Sequence, residues 1–353
     1  MTLLYVNGRF LTQPLTGVQR FAREVCRALA RPAVTLAPPA TPATPLFEFR
    51  RVGRLSGHAW EQFDLPRFTK GVLLNLGNTA PLALRRQVVV IHDARPFTMP
   101  EVYSWKFAAY YRWLQRALAR RGVRIATVSS FAQKQIASHL NLDPDTIKVV
   151  GEGAEHLLRY DRDPGLLSTL GLCRPYVLSV GSFARHKNLI ALQATAARLA
   201  ERGMDLVLIG DANPRVFADP QNPLPPSVRW IGRHGDPALR TLYAGASCFV
   251  FPSLDESFGL PAVEAMACRC PVVAARAGSL PEICAEAALL VDPTQPAEFA
   301  EQVLRVIDSP EAADRLRASG EARAAGFTWP AAAARLAMIA DDIGAGDSGR
   351  PAA

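Results

Sequence analysis

The sequence predicts an α/β protein of two domains, and three observations carry that. Short apolar runs alternate with helical patterns along the whole chain, as in a mostly parallel sheet covered on both faces. Several runs end in polar or glycine-containing loops, the places where open α/β sheets bind ligands. The chain has 353 residues, enough for two separate cores.

Composition sets the class. The chain is 49% apolar and 20% charged, as in a globular protein. No run approaches the ~20 apolar residues of a membrane span. Leu3–Val6 is too short for a signal peptide and reads as a first strand. The six cysteines form no Cys-x-x-Cys pair and no zinc spacing, so they are expected to be reduced, buried thiols of a cytoplasmic protein. Charge is uneven. Residues 1–168 hold 23 Lys/Arg against 12 Asp/Glu, and residues 169–353 hold 17 against 20. The excess positive charge of the first half suits an anionic surface or substrate.

Taken in order, the first strand Leu3–Val6 leads to Thr16-Gly17-Val18-Gln19-Arg20, which opens a helix to Ala30. Residues 31–70, rich in Pro and basic residues, read as irregular, with Trp60-Glu61-Gln62 as a polar–aromatic cluster. Strands are expected at Leu73–Leu76 and Gln87–Ile91, followed by Gly77-Asn78-Thr79 and His92-Asp93. A helix from Ser104 to Arg121 mixes Trp105, Phe107, Tyr110, Tyr111 and Trp113 with Lys106, Arg112, Arg116, Arg120 and Arg121. That mixture fits either an interfacial element or a packed aromatic face beside a solvated Arg face. No motif reads bases, so nucleic acid is not an expected partner.

Arg124–Val128 is a strand, Ser129-Ser130 caps the helix Phe131–Leu140, and Ile147–Val150 closes the first domain. The domains expected are 1–165 and 170–326, with a linker within 159–174. In the second, Tyr176–Val180 precedes Gly181-Ser182-Phe183-Ala184-Arg185-His186-Lys187-Asn188, read as a glycine turn into a helix start. An Arg fork and a Lys point charge there suit a diphosphate. Cations at a helix N-terminus oppose its dipole, so something else should hold them. Further strands are Leu206–Ile209 with Gly210-Asp211, Val228–Ile231 with Gly232-Arg233, Pro271–Ala274 before Gly278, and Ala287–Val291. Helices follow at 297–307 and 311–325. A terminal helix spans 327–343, and a disordered tail spans 344–353.

The most informative stretch is 248–268. An apolar strand, Cys248–Phe251, stops at Pro252. A polar turn follows, then a helix with Pro261 in its first turn, where a missing N–H costs nothing. Backbone N–H groups near Gly259 and Leu260 form an anion site. Glu256 lies in the turn. Glu264 lies about one turn into the helix and leans back toward the same place. Carboxylates accept hydrogen bonds from vicinal diols, so a phosphate cradle with two such acceptors suits a sugar nucleotide.

Glu256-Ser257-Phe258-Gly259-Leu260-Pro261-Ala262-Val263-Glu264 resembles the E-x7-E signature of retaining family 4 glycosyltransferases. That resemblance implies a GT-B fold, two Rossmann-like, doubly wound domains facing across a cleft, with the donor on the second and the acceptor on the first. It implies that Glu256 contacts the donor sugar, that the Ser257–Leu260 turn binds the diphosphate and that Glu264 binds the ribose. Gly181, Arg185 and Lys187 resemble the family's second signature, and Gly17 its N-terminal glycine loop. His92 stands where the family places a His facing the donor sugar, and Arg233 where it reads the base. The terminal helix then crosses back to the first domain.

Retaining members need no enzyme nucleophile. The diphosphate leaves as the acceptor hydroxyl attacks the same face. Asp143/Asp145 and Asp161/Asp163 read as turn carboxylates, so neither a metal nor another cofactor is expected. The donor is expected to be GDP-mannose rather than a UDP-hexose. The acceptor is expected to be a glycan or lipid-linked chain of a surface polysaccharide, reached by peripheral contact with the anionic inner face of the plasma membrane. The rival readings are a sugar-nucleotide 2-epimerase of the same architecture, a UDP-hexose-dependent transferase and a catalytically dead binding protein.

Overall fold

The computed structural model describes residues 3–44, 47–182, 184–210 and 228–345. Phe183, Asp211 and the tail from 346 onward, all named above, lie outside the described residues. The chain divides into two units, residues 1–152 with 329–353, and residues 153–328.

The first unit contains a parallel sheet of β1 (Leu4–Asn7), β2 (Ala33–Ala37), β3 (Arg50–Arg51), β4 (Val72–Asn75), β5 (Gln87–Val90), β6 (Arg124–Thr127) and β7 (Lys148–Val149), in the order β3-β2-β1-β4-β5-β6-β7. The strand order reverses between β1 and β4, where Leu4 pairs with Val72 and Val6 with Leu74. β4 and β5 are buried along their whole length, as expected of strands covered on both faces. Tyr5, Leu36, Val52, Trp60, Leu65 and Leu73 form one core cluster.

Among the described residues, 31–70 are only partly irregular. β2 and β3 lie there, as does a helical stretch over 57–68 with a π-helical turn at Trp60–Asp64. The Pro-rich composition concealed Ala33–Ala37, whose last three residues are buried beside β1. Trp60 is fully buried, and its indole N–H donates to the Val52 carbonyl at 2.8 Å.

The aromatic–basic helix spans Trp105–Arg120, capped by Ser104. It buries Ala108, Tyr111, Leu114, Gln115 and Leu118, and leaves Trp105 76% and Trp113 56% exposed. The terminal helix, Trp329–Ala345, belongs to the first unit. Trp329 is fully buried with its ring edge-on to Phe21, and Arg335 donates to the Val150 carbonyl at 2.8 Å.

The second unit is a parallel sheet of β8 (Tyr176–Val180), β9 (Asp205–Ile209), β10 (Val228–Trp230), β11 (Cys248–Phe251), β12 (Val272–Ala275) and β13 (Leu289–Val291), in the order β10-β9-β8-β11-β12-β13. Its strand order reverses between β8 and β11. The unit begins at 153 rather than near 170. Residues 153–165 pack with it because the Ala154 N–H donates to Phe327, the Asp163 N–H donates to Thr241 Oγ1, and His156 binds Glu264. The expected linker also carries a helix, Pro164–Thr169. Asp143 and Asp163 each accept from a backbone N–H two residues on and so cap short helices.

Cys248, Cys268, Cys270 and Cys284 are buried, whereas Cys173 is exposed. Burial pushes the Cys248 thiol up to about 12, as expected of an inert core residue. Among the described residues no helix is long and apolar enough to cross a membrane.

Candidate functional site

The reversal between β8 and β11 places two loops side by side at the carboxyl ends of the second sheet. The loop after β8 carries Gly181, Arg185 and Lys187. The loop after β11 carries Glu256 to Gly259. A crevice outside a strand-order reversal is the usual ligand site of such sheets.

Residues 185–187 form a short 3-10 turn, not the start of an α-helix. Asn188 follows in the left-handed conformation, and the helix begins only at Gln193. No helix dipole therefore opposes Arg185 and Lys187. What holds Lys187 is Glu256: Nζ donates to Oε1 at 2.5 Å, and the ammonium lies 5.4 Å from the centroid of the Phe251 ring. Both side chains are mostly buried, at 15% and 7% exposure. Arg185 is exposed and forms no ion pair among the described residues. Gly181 lies beneath the Lys187 stem, and its N–H donates to the Ile209 carbonyl.

Two features missed in the sequence lock this pair. Asn188 Nδ2 donates to the carbonyls of Pro252 (3.2 Å) and Pro293 (2.9 Å), while the Leu254 N–H donates to the His186 carbonyl at 2.7 Å. The β8 loop is thus tied to the β11 loop on both sides of Lys187, by the His186 carbonyl and by the Asn188 side chain. The second feature is Gly278, at φ 59°. A Cβ there would meet the Glu256 backbone N and O at 2.6 Å. Only glycine permits that approach, and the Ser279 N–H then donates to the Glu256 carbonyl at 2.9 Å.

Gly259 sits at φ 89° immediately before the helix Leu260–Ala267. Its Cβ position is filled by Leu280 Cδ2, 2.5 Å away. Ser257, Phe258 and Leu260 are all 9% exposed or less, and the Phe258 ring is edge-on to Phe327.

Glu264 is 4% exposed, and both its oxygens are engaged: Oε1 lies 3.1 Å from His156 Nε2, and Oε2 accepts from the Tyr243 hydroxyl at 3.0 Å. Burial, and then the Glu264 charge, push the Tyr243 phenol well above its ordinary value, so it stays a donor. His156 and Tyr243 carried no signal in the sequence because they are 108 and 21 residues from Glu264.

Three further expected site residues lie on neither of these two loops. Arg233 is exposed beyond the edge strand β10, two strands from β8. Gly17 and His92 belong to the first unit. Gly17 is the first residue of the helix Gly17–Ala28, with open space at its Cβ position. His92 follows β5. It is 5% exposed, Nε2 donates to the Leu76 carbonyl at 3.0 Å, Nδ1 stands 3.6 Å from Glu152, and the ring packs edge-on to Phe21.

A doubly wound parallel sheet with an ammonium–carboxylate pair, a positive-φ glycine and a helix start at its reversal point has the features by which open α/β sheets hold anionic ligands. Residues 174–309 match the family model of glycosyl transferases group 1.

Relatives agree. The chain is 31% identical over 255 residues to the MMP alpha-(1->4)-mannosyltransferase of Mycolicibacterium hassiacum, covering 67% of this chain and 59% of that one. It is 26% identical to the O-antigen chain mannosyltransferase RfbU of Salmonella typhimurium, over 69% of each. The structure resembles that of Anabaena HepE in complex with UDP, with a TM-score of 0.73 at 17% identity, covering 97% of this chain and 100% of that one. The fold is GT-B.

Proposed function

We propose that the protein is a retaining hexosyltransferase that moves mannose from GDP-mannose to a glycan or lipid-linked acceptor of a surface polysaccharide. The observation that carries this reading is the Lys187–Glu256 pair beside Gly259 at the strand-order reversal. An anionic diphosphate entering there meets the Lys187 ammonium, the Arg185 guanidinium and the backbone N–H groups of the 259–260 turn. Charge placed where negative charge develops in the transition state is the largest usual catalytic contribution. Lys187 released toward phosphate frees Glu256 to accept from a sugar hydroxyl. Glu264 exchanges His156 or Tyr243 for a ribose hydroxyl.

The two positive side chains balance the diphosphate without a metal ion, so transfer is expected to be metal-independent. Mannose is favoured because two relatives of this chain bear the name mannosyltransferase. The acceptor is assigned to the first unit, which also carries the exposed Trp105 and Trp113 among basic residues, a surface suited to anionic lipid.

A thermal-shift panel of sugar nucleotides tests the donor. GDP-mannose is expected to raise the melting temperature more than UDP-glucose, UDP-galactose or ADP-glucose. A larger shift with a UDP-hexose would reassign the donor, and no shift with any would remove the proposal.

A further inference from the structure

Outside the donor site, the first unit holds a second polar cluster at its own strand-order reversal. Asn7 ends β1 and Asn75 ends β4, and Asn7 Nδ2 donates to Asn75 Oδ1 at 3.0 Å. Above them lies Glu61, 1% exposed, in the π-helical turn Trp60–Asp64. Its Oε1 accepts three hydrogen bonds, from Asn7 Nδ2 (2.7 Å), Thr79 Oγ1 (2.9 Å) and Arg9 Nε (3.3 Å). Its Oε2 faces His58 Nδ1 at 3.3 Å. Burial alone would raise the Glu61 carboxyl. The Arg9 charge, with hydrogen bonds from His58 and Asn7, outweighs it and holds the group below the usual carboxylate range.

The arrangement does more than satisfy a buried charge. One oxygen already has three donors. The other is aimed at a single histidine. An ionised carboxylate only accepts, so a proton sits on Nδ1 of His58, and when the ring is neutral its lone pair is left on Nε2. That Nε2 has no partner among the described residues, and the His58 side chain is 34% exposed. The ring is further fixed by edge contacts with Tyr110 (4.8 Å between centroids) and Tyr111 (5.7 Å). His92 of the same unit offers the contrast, because its Nε2 is used up on a backbone carbonyl.

Ser56 and Gly57, immediately before His58, line a cleft of about 580 Å³ whose other walls include Thr12, Gln13 and Arg23. Clefts of this size hold small polar ligands such as one hexose. His58 does not line this cleft but directly follows its wall residue Gly57; an acceptor nitrogen fixed there, at the carboxyl ends of the sheet, suits a ligand that donates, and a sugar hydroxyl is the donor available to a glycosyltransferase.

We propose that His58, oriented by Glu61, binds a hydroxyl of the acceptor sugar, so that His58 is a substrate-binding residue and Glu61 its positioning residue. The inference rests on the glycosyltransferase reading above. It adds the residues that recognise the acceptor.

The test uses the full chain with 15N-labelled histidines and methyl α-D-mannopyranoside as the probe. The sequence has six histidines, and His58 is assigned from the resonance lost in His58→Gln. The expected result is an Nδ1–H tautomer for His58 in the free protein, with its Nε2 resonance moving as the sugar is added. Sugar affinity is expected to fall about tenfold in His58→Gln, the loss of one well-made hydrogen bond. In Glu61→Gln the tautomer preference is lost and affinity falls comparably. Because that variant strands Arg9, His58→Gln, which keeps the buried pair, serves as the second arm.

A His58 resonance that ignores the sugar, while GDP still binds by calorimetry, would overturn this proposal and leave the donor-site reading standing. Sugar binding unaffected by both substitutions would overturn it equally. Failure of GDP to bind would overturn the transferase reading and this inference with it.

Discussion

Lys187 Nζ lies 2.5 Å from Glu256 Oε1 across 69 residues of sequence, in a pocket where both side chains are mostly buried. Breaking such a pair leaves one charge uncompensated, at a cost of about 3 kcal/mol, whereas removing both charges together costs much less. Lys187→Met is therefore expected to lower stability in urea by about that amount. The double variant Lys187→Met/Glu256→Gln is expected to regain more than half of it. Full additivity of the two single losses would mean that the side chains do not interact.

Glu264 has a different neighbourhood, and its loss reads out in binding. His156 and Tyr243 hold its two oxygens, and in the proposed complex a ribose hydroxyl joins or replaces one of them. Glu264→Ala is expected to weaken GDP binding by about 1–3 kcal/mol, the worth of charge-assisted hydrogen bonds. Calorimetric titration with GDP checks this, and an unchanged affinity would remove Glu264 from the nucleotide site.

The pH dependence of the first unit follows from Glu61. Its folded value lies below the ordinary 4.5, because the Arg9 charge and the His58 and Asn7 hydrogen bonds outweigh burial. A depressed carboxylate contributes stability that is present above its unfolded value and is lost as pH falls through the folded value. The stability advantage of the wild type over Glu61→Gln is thus expected to be full at pH 6, about 3 kcal/mol for a broken buried pair. It should shrink progressively below 4.5. Urea unfolding at a series of pH values measures it. An advantage that grows on acidification would show the opposite sign of shift.

Much of this was legible in advance, for a physical reason. The strand, turn and helix around Glu256 and Glu264 are one contiguous segment, so their spacing alone placed both carboxylates at a helix start. Alternating strands and helices gave both sheets for the same reason. What escaped were relationships between segments. Asn188 reaches the carbonyls of Pro252 and Pro293, 64 and 105 residues away, and Gly278 packs on the Glu256 backbone, all from loops of different strands. The Glu61 cluster draws on four separate stretches, 7–9, 58–61, 75 and 79, of which only the second is marked in the sequence, by Trp60-Glu61-Gln62, and without its partners. Arg185 and Lys187 were placed on a helix because the 3-10 turn and left-handed Asn188 carry no proline or glycine to mark them.

The exposed aromatics of the helix Trp105–Arg120 give a prediction about location. Trp105 and Trp113 are exposed in a segment that also carries Lys106, Arg112, Arg116 and Arg120. Each basic residue near an anionic surface contributes about 1 kcal/mol, screened by salt. Co-sedimentation is expected with vesicles containing phosphatidylglycerol and not with neutral phosphatidylcholine, and to weaken at high salt. The double substitution Trp105→Ser/Trp113→Ser is expected to reduce it severalfold. Equal binding to both vesicle types would assign the helix no electrostatic role at a membrane.

The central claim is that the second unit breaks the bond between a hexose and a nucleoside diphosphate with retention, using Arg185 and Lys187 in place of a metal. Its most direct test is proton NMR of the chain with GDP-mannose and excess chelator, following the first sugar formed, whether transferred or released to water. The account predicts GDP release with the mannose initially in the α configuration of the donor. It also predicts that the reaction slows at least a hundredfold in Lys187→Ala, an effect of the size expected for one lost electrostatic stabiliser. A β-configured first product, or activity that vanishes with chelator and returns with magnesium, would contradict it.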